Sequence, residues 1–322
     1  MRISDIQIRD PFVVPEGRRY YLFGSTDKDI WKGPGTGFDG YVSSVEGSLT
    51  DFEGPFPVFR PPEDFWSATN FWAPEVHPYR GEWYMFATFK PKKGRRGTGI
   101  LKSKGGIPGP YTPWSCSAPG VSGAVTPEDW DCLDGTFFIE KGIPYLVFCH
   151  EWQQVGDGEI CALPLTRDLR QAAGPPVLLF HASEAPWTYE LAGRTPGSYV
   201  TDGPFMYPTQ RGDLLMLWSS FNKEGNYCIG VARSENGTLC GPWVQEQDPL
   251  YQGDGGHGML FRSIEGTLYL AFHTPNQTPF ERPRFVAPEG GFRPLEWGAI
   301  RESRSPLRLP LVGGGSHPRR GV

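Results

Sequence analysis

Five times along the chain a charged or imidazole side chain stands at the head of a short apolar run. A glycine turn then follows, and a second apolar run closes the unit. Asp10-Pro11-Phe12-Val13-Val14 leads through Gly17 to Tyr20-Tyr21-Leu22-Phe23, and Glu75-Val76-His77-Pro78-Tyr79 leads through Gly81 to Trp83-Tyr84-Met85-Phe86. Asp134-Gly135-Thr136-Phe137-Phe138-Ile139 leads through Gly142 to Tyr145-Leu146-Val147-Phe148. Asp202-Gly203-Pro204-Phe205-Met206-Tyr207 and His257-Gly258-Met259-Leu260-Phe261 open the last two units, with Leu214 to Trp218 and Leu268 to Phe272 as their second runs. The heads are 65, 59, 68 and 55 residues apart. Apolar runs of this length bounded by Gly and Pro read as strands, and a repeat of this period built from them reads as a propeller.

Each unit holds room for four strands. Third strands are expected at Asp39 to Ser44, Gly99 to Ser103, Glu159 to Leu165 and Tyr227 to Ser234. The pattern therefore predicts an all-β, single-domain, five-bladed β-propeller over residues 1–312, with blades at about 5–60, 72–115, 130–180, 199–251 and 255–300. The outer strands of the fifth unit, around Arg284-Phe285-Val286, are the least defined. Residues 313–322, rich in Gly, Arg and Pro, are expected to form a flexible tail.

Composition agrees: 42 Gly and 33 Pro supply turns, and 14% aromatic residues supply bulk for strands. A net charge of −5 offers no electrostatic case for nucleic acid or an anionic membrane, and suits a neutral or weakly polar ligand. No apolar run approaches the roughly 20 residues of a membrane helix. Met1-Arg2-Ile3-Ser4-Asp5 has no signal-peptide core, so a cytoplasmic location is expected, or secretion if a leader has been trimmed away. The six cysteines form no zinc-spaced pair, and Cys149, Cys161 and Cys228 fall within apolar runs as small buried hydrophobes. The basic run Lys90 to Arg96 lies between two strands and reads as a solvated loop.

In a propeller the innermost strand of every blade lines a central channel. The repeat thus gathers Asp10, Glu75, Asp134, Asp202 and His257 around one axis. Crowded carboxylates drive one another's pKa values apart, so a single site can hold both a neutral acid and an ionised base. Asp also serves in Gly-Pro turns, and for any one of these residues that ordinary role competes.

These strings carry a family resemblance. Ile8-Arg9-Asp10-Pro11-Phe12, Phe71-Trp72-Ala73-Pro74-Glu75-Val76, Leu133-Asp134-Gly135-Thr136-Phe137, Thr201-Asp202-Gly203-Pro204 and Gly256-His257-Gly258-Met259, in that order, resemble glycoside hydrolase family 43. The family consists of five-bladed propellers that cleave arabinose-, xylose- or galactofuranose-containing glycans with inversion. The resemblance implies that Asp10 is the general base, Asp134 the carboxylate that orients the acid and tunes its pKa, and Asp202 the general acid. Most of the family has Glu where this chain has Asp202, one methylene shorter; Glu190 and Glu151 are the reserve acids.

It also implies that His257 lies in the channel, either beside a structural calcium held mostly through waters or as a plain hydrogen-bonding residue; no cofactor is required. Trp72, Phe137, Trp152 and Phe205 are candidate walls for a sugar ring, with blade packing as the competing role, and Glu75 is a polar liner or an anchor for Trp72. Arg282 or Arg284 is a candidate for contacting a sugar hydroxyl. The expected partner is an oligo- or polysaccharide. The expected activity is an exo-acting α-L-arabinofuranosidase. A β-D-galactofuranosidase, a β-xylosidase, an endo-arabinanase or a carbohydrate-binding propeller without catalysis stand behind it.

Overall fold

Strands buried on both faces show continuous apolar runs rather than strict alternation, and that is what the second strand of each unit displays. In the computed structural model, which describes residues 1–287, the runs form antiparallel sheets in simple sequential order. Blade 1 holds β1 (Arg9–Glu16), β2 (Arg19–Ser25), β3 (Phe38–Ser43) and β4 (Phe52–Phe59). Blade 2 holds β5 (Thr69–Tyr79), β6 (Glu82–Lys90), β7 (Gly97–Ser103) and β8 (Tyr111–Pro113). A small hairpin that the sequence pattern does not announce, β9 (Cys116–Ala118) with β10 (Val121–Ser122), follows it. Blade 3 holds β11 (Cys132–Glu140), β12 (Ile143–His150), β13 (Glu159–Pro164) and β14 (Val177–His181), with one helical turn, α1 (Trp152–Val155), between the middle two. Blade 4 holds β15 (Asp202–Pro208), β16 (Leu214–Phe221), β17 (Tyr227–Ser234) and β18 (Trp243–Gln245). Blade 5 shows β19 (Gly256–Arg262), β20 (Leu268–Thr274) and β21 (Arg282–Val286). The outer part expected for the fifth unit, up to about residue 300, and the tail expected at 313–322 fall on residues from 288 onward, outside the described residues. Among the described residues no helix is long and apolar enough to cross a membrane.

The core is a set of layers between blades. Phe23, Phe38, Phe59, Phe71 and Phe89 fill the space between blades 1 and 2, and Phe86, Phe137 and Phe148 that between blades 2 and 3. Phe180, Trp187 and Trp218 join blades 3 and 4, and Leu217, Ile229, Leu270 and Phe272 join blades 4 and 5. Between blades 5 and 1, the Tyr20 and Phe261 rings meet edge to face at 6.0 Å. The N-terminal segment laces the same seam: Phe52 N–H donates to Met1 O and Ile3 N–H to Thr50 O, both at 2.8 Å, while Arg282 Nε donates to Ser4 O at 3.1 Å.

One backbone irregularity repeats in all five inner strands. Pairing with the second strand slips between Arg9 and Phe12, Trp72 and Glu75, Leu133 and Thr136, Asp202 and Phe205, and Gly256 and Met259. The residue at each bulge has a left-handed backbone, with φ of 54° at Asp10, 45° at Ala73, 56° at Asp134, 51° at Gly203 and 53° at His257. The equivalent positions are therefore Asp10, Ala73, Asp134, Gly203 and His257. This corrects the alignment by polar residues: Glu75 lies two places after its bulge and Asp202 one place before. The residue following each bulge is Pro11, Pro74, Gly135, Pro204 or Gly258, a marker that would have set the register.

A bulged N–H cannot join its own ladder, and a buried one needs another acceptor. In four cases the preceding blade supplies it. Ala73 N–H donates to Ser25 Oγ at 2.9 Å, Asp134 N–H to Thr88 Oγ1 at 2.8 Å, His257 N–H to Ser219 Oγ at 2.8 Å, and Asp10 N–H to His273 Nδ1 at 3.2 Å. The last of these crosses the seam where the ring closes.

Trp218 is fully buried beside Trp187 and donates from Nε1 to Gln245 Oε1 at 3.0 Å. Trp218→Ala should lower unfolding free energy by about 3–5 kcal/mol in a urea titration. A midpoint that barely moved would mean that this inter-blade layer does not carry the fold.

Candidate active site

The left-handed bulges turn side chains that would otherwise pack between blades toward the axis. His257 Nδ1 stands 3.2 Å from Asp10 Oδ1 and 3.7 Å from Asp134 Oδ2, so three blades meet in one cluster. Ser25 Oγ donates to the other oxygen of Asp10 at 2.6 Å. Asp202, at the mouth of blade 4, receives a hydrogen bond on Oδ2 from Tyr227 OH at 3.1 Å. The next residue is constrained twice. Gly203 has φ +51°, and a Cβ there would lie 2.7 Å from the His257 ring, so only glycine fits between the acid-bearing strand and the imidazole. Its N–H donates to Asp134 Oδ2 at 3.2 Å.

Burial and neighbouring charge separate the ionisation of these groups. Burial alone would raise Asp10, but the charge and hydrogen bond of His257, with Arg9 behind it, hold its pKa well below the usual carboxylate range. Asp134 is pushed up to about 6 by burial and by Asp10, against the pull of His257. Asp202 is pushed up to about 7 by burial and the Asp134 charge, with His257 and Tyr227 opposing. For His257 burial works against the charge, yet Asp10 and Asp134 raise its pKa to about 9, so the imidazole is a cation at neutral pH. His273 goes the other way, to about 3, through burial and the nearby Arg9; neutral, it accepts the Asp10 N–H on Nδ1. An ionised carboxylate, a neutral carboxyl and a fixed cation thus share one buried space. That set can take a proton from one molecule and give a proton to another.

Around this cluster stand two further charged groups. Arg9 pairs with the fully buried Glu281 at 3.0 Å, and its guanidinium lies 5.1 Å from the Trp31 ring. Arg96 makes a two-pronged pair with Asp131, 2.8 Å on each arm, and stands 3.7 Å from Glu151 and 5.4 Å from the Trp72 ring. Trp31, half exposed, meets Trp72 edge to face at 5.3 Å. Glu151 is pushed up to about 7 by burial, with Asp202 and Asp131 adding to it and Arg96 opposing.

Asp10, Asp134, Asp202 and His257 therefore come together as the sequence pattern predicts, and Trp72 lies beside Arg96 near them. Phe137 does not offer a free face: it is buried and stacked on Phe86 at 5.0 Å, because it follows its bulge by three places and falls in the inter-blade layer. Phe205 packs edge-on against Phe12 at 6.4 Å and joins two core clusters. Glu75 is buried in a 2.7 Å pair with His77, as its shifted register requires. Trp152 lies on α1 with Arg194 5.6 Å over its ring. Arg284 is exposed on β21, two strands out from the inner strand, and Arg282 is spent on Ser4 and backbone carbonyls; the arginines beside the cluster are Arg9 and Arg96. Of the reserve acids, Glu190 is exposed and caps Gly197 N–H, whereas Glu151 stands near Asp202. The Lys90–Arg96 run divides: Lys92 to Arg95 are exposed, and Arg96 is buried. Tyr227, Ser25, His273 and Trp31 carry no motif and are brought in by the fold.

At His257 the Nδ1 faces Asp10 Oδ1 at 3.2 Å and Asp134 Oδ2 at 3.7 Å, and no dense set of oxygen ligands among the described residues surrounds the ring, so a calcium ion here would be held mostly through waters. Among the described residues no group of three or more His, Cys, Asp or Glu side chains is arranged to hold a metal.

The family model described as glycosyl hydrolases family 43 matches residues 3–298. The alpha-L-arabinofuranosidase 43 of Humicola insolens is 24% identical over 217 residues, which are 63% of this chain and 42% of that protein. The extracellular exo-alpha-(1->5)-L-arabinofuranosidase of Streptomyces chartreusis is 23% identical over 192 residues, 58% of this chain and 55% of that protein. The chain spans about half the length of the curated relatives it matches. Among solved structures, an endo-arabinase from Bacteroides thetaiotaomicron superimposes with a TM-score of 0.80 at 39% identity, over 89% of this chain and 96% of that one. A thermostable family-43 glycoside hydrolase shares the fold with a TM-score of 0.70 at 23% identity, over 87% of this chain and 89% of that one.

A carboxyl whose pKa rises on folding contributes stability that is whole below its unfolded pKa and is lost as pH climbs through the folded value. For Asp202 that window runs from 3.8 to about 7. Asp202→Asn, always neutral, should therefore be more stable than the parent at pH 8, on the order of 1–3 kcal/mol. The gain should shrink toward pH 4.5 in paired denaturant titrations. A gain equal at both values would show that Asp202 is not held neutral by the fold.

Proposed function

Because the chain belongs to glycosyl hydrolase family 43, we propose that it is an inverting glycoside hydrolase acting on α-L-arabinofuranosyl linkages and releasing terminal residues. The observation that carries this reading is the gathering of Asp10, Asp134 and Asp202 from three blades beside His257, where burial and charge hold Asp10 ionised and push Asp202 toward the neutral form. Asp10, kept ionised and clamped by Ser25 and His257, is the group able to draw a proton from an attacking water. Asp202, neutral up to about pH 7, is the group able to protonate the departing oxygen. Asp134 touches neither reacting atom in this scheme; its charge keeps the proton on Asp202. Inversion follows when water sits between base and sugar, attacking from the face opposite the acid.

Arabinofuranosyl specificity is supported by the two curated relatives and by the endo-arabinase, all of them named for arabinose-containing substrates. Terminal action is supported by the loop at 26–37. Trp31 Nε1 donates to Thr278 Oγ1 at 3.1 Å and Trp72 Nε1 to Ile30 O at 2.6 Å, so the loop spans from blade 5 to blade 2 and walls that side of the cluster. Internal cleavage of arabinan is the second reading, favoured by the name of the 39%-identical structure.

The reading is tested with nitrophenyl furanosides and pyranosides beside linear arabinan. Arabinose alone as product supports terminal action, and a ladder of oligosaccharides selects internal cleavage. A galactofuranoside or xyloside hydrolysed faster than every arabinofuranoside moves the specificity. Binding of arabinan fragments without turnover of any substrate makes the chain a carbohydrate-binding propeller. Asp10→Asn should lower kcat by about 10²–10⁴-fold with ligand affinity by calorimetry nearly unchanged. An active Asp10→Asn enzyme removes the base assignment.

A further inference from the structure

Five residues near the ends of the second strands are equivalent by register. Each pairs with the residue just before a bulge: Ser25 with Arg9, Thr88 with Trp72, Cys149 with Leu133, Ser219 with Asp202, and His273 with Gly256. Ser25, Thr88, Ser219 and His273 each accept the bulge N–H of the following blade through an oxygen or a ring nitrogen. Blade 3 has Cys149 at this place, fully buried, and sulfur is a weak acceptor. The N–H that the pattern aims at it, that of Gly203, goes instead to Asp134 Oδ2. At one joint in five a carboxylate of the site takes the part of a hydroxyl.

We propose that Cys149 is a positioning residue: by withholding a competent acceptor from the Gly203 N–H, it delivers that donor to Asp134 and ties the carboxylate to the strand that begins with Asp202. The proposal deepens the reading above and rests on it for the roles of Asp134 and Asp202. The thiol reaches neither substrate nor proton path. It acts through what it leaves unbonded.

Every neighbouring blade puts a charge near Asp134. Asp10 comes from blade 1, Arg96 from blade 2, Glu151 from blade 3, Asp202 from blade 4 and His257 from blade 5. Asp134, Asp202 and Glu151 also lie close to Cys149, and together with burial they keep it a neutral thiol. In this crowd the Gly203 N–H is a neutral donor that favours ionised Asp134. A hydroxyl at 149 would take the N–H, as Ser25 and Ser219 do. Asp134 would then hold its proton to higher pH, and Asp202, with less negative charge beside it, would lose its own proton earlier.

The experiment compares the parent chain with Cys149→Ser and Cys149→Ala, each labelled with 15N-glycine. In the parent and in Cys149→Ala, which supplies no acceptor, the Gly203 amide shift should follow the ionisation of Asp134 across pH 4 to 9. In Cys149→Ser that titration should collapse, and the alkaline limb of kcat/KM should move to lower pH by about half a unit or more. A Gly203 amide in Cys149→Ser that titrates as in the parent overturns the proposal whatever the activity. A lost titration with an unmoved limb overturns the catalytic part of it. A lost titration in chains that cleave no glycoside upholds the tether and counts against the proposed function instead. Should Cys149→Ser fail to fold, Cys149→Thr, the residue type at 88, carries the same comparison.

Discussion

Pleating sends alternate side chains of an inner strand to the two flanking blades, so a strand can border a channel and present nothing to it. The bulge at the head of each inner strand breaks that alternation. A single residue with a left-handed backbone aims Asp10, Asp134 and His257 at the axis, and the N–H it frees must be caught by the preceding blade. Site geometry and ring closure thus depend on the same bond: if a joint opens, Asp10, Asp134 or His257 loses its aim and two blades lose their register. Gly203 shows how narrow the tolerance is, because its position admits neither a Cβ nor an ordinary φ.

Burying this many charges is costly, and the blades offset the cost by pairing them. Arg9 meets Glu281, Arg96 meets Asp131, and His257 meets Asp10. Each pair is formed across blades or between strand and loop, so the electrostatic partners are also the cross-links of the ring. Asp134, Asp202 and Glu151 remain without a full counter-charge, and they are the groups that burial drives upward. The unpaired remainder is what leaves a protonated carboxyl available near neutral pH.

Most of this architecture could be read along the chain. The five-unit repeat survives because every blade needs the same turn and the same apolar second strand, and Asp10, Asp134 and His257 were visible since strand heads seldom tolerate charge. Glu75 is the misleading head: its charge stands two places beyond Ala73-Pro74, where the backbone irregularity lies. Phe137 and Phe205 looked like sugar walls from adjacency to the motifs, but parity along a strand decides which side of the blade a ring faces. Tyr227, His273 and Trp31 carry no local signal, and Arg96 ends a basic run that reads as a solvated loop. They reach the site from second and third strands and from loops, and only closure of the ring brings those segments to the axis.

Asp202, the acid of the proposed scheme, has a short side chain, and the packing around it sets where its carboxyl stands. A Cβ on Gly256 would stand 2.2 Å from the Tyr227 ring, so the absence of a side chain there lets Tyr227 lie flat against blade 5. Tyr227 also stacks near His273 at 5.8 Å, which in turn holds the Asp10 backbone. From that seat its hydroxyl reaches Asp202. A chain of contacts through Tyr227 and His273 therefore links the position of Asp202 to that of Asp10. A longer acid could find its place by rotating about an extra bond; Asp202 has fewer torsions to adjust, so its reach is set by backbone and by the tyrosine. Glycine at 203 and 256 thus fixes where the Asp202 carboxyl stands, and a bulkier residue at either would push the strands apart and shift that carboxyl relative to Tyr227 and the Asp134–His257 cluster.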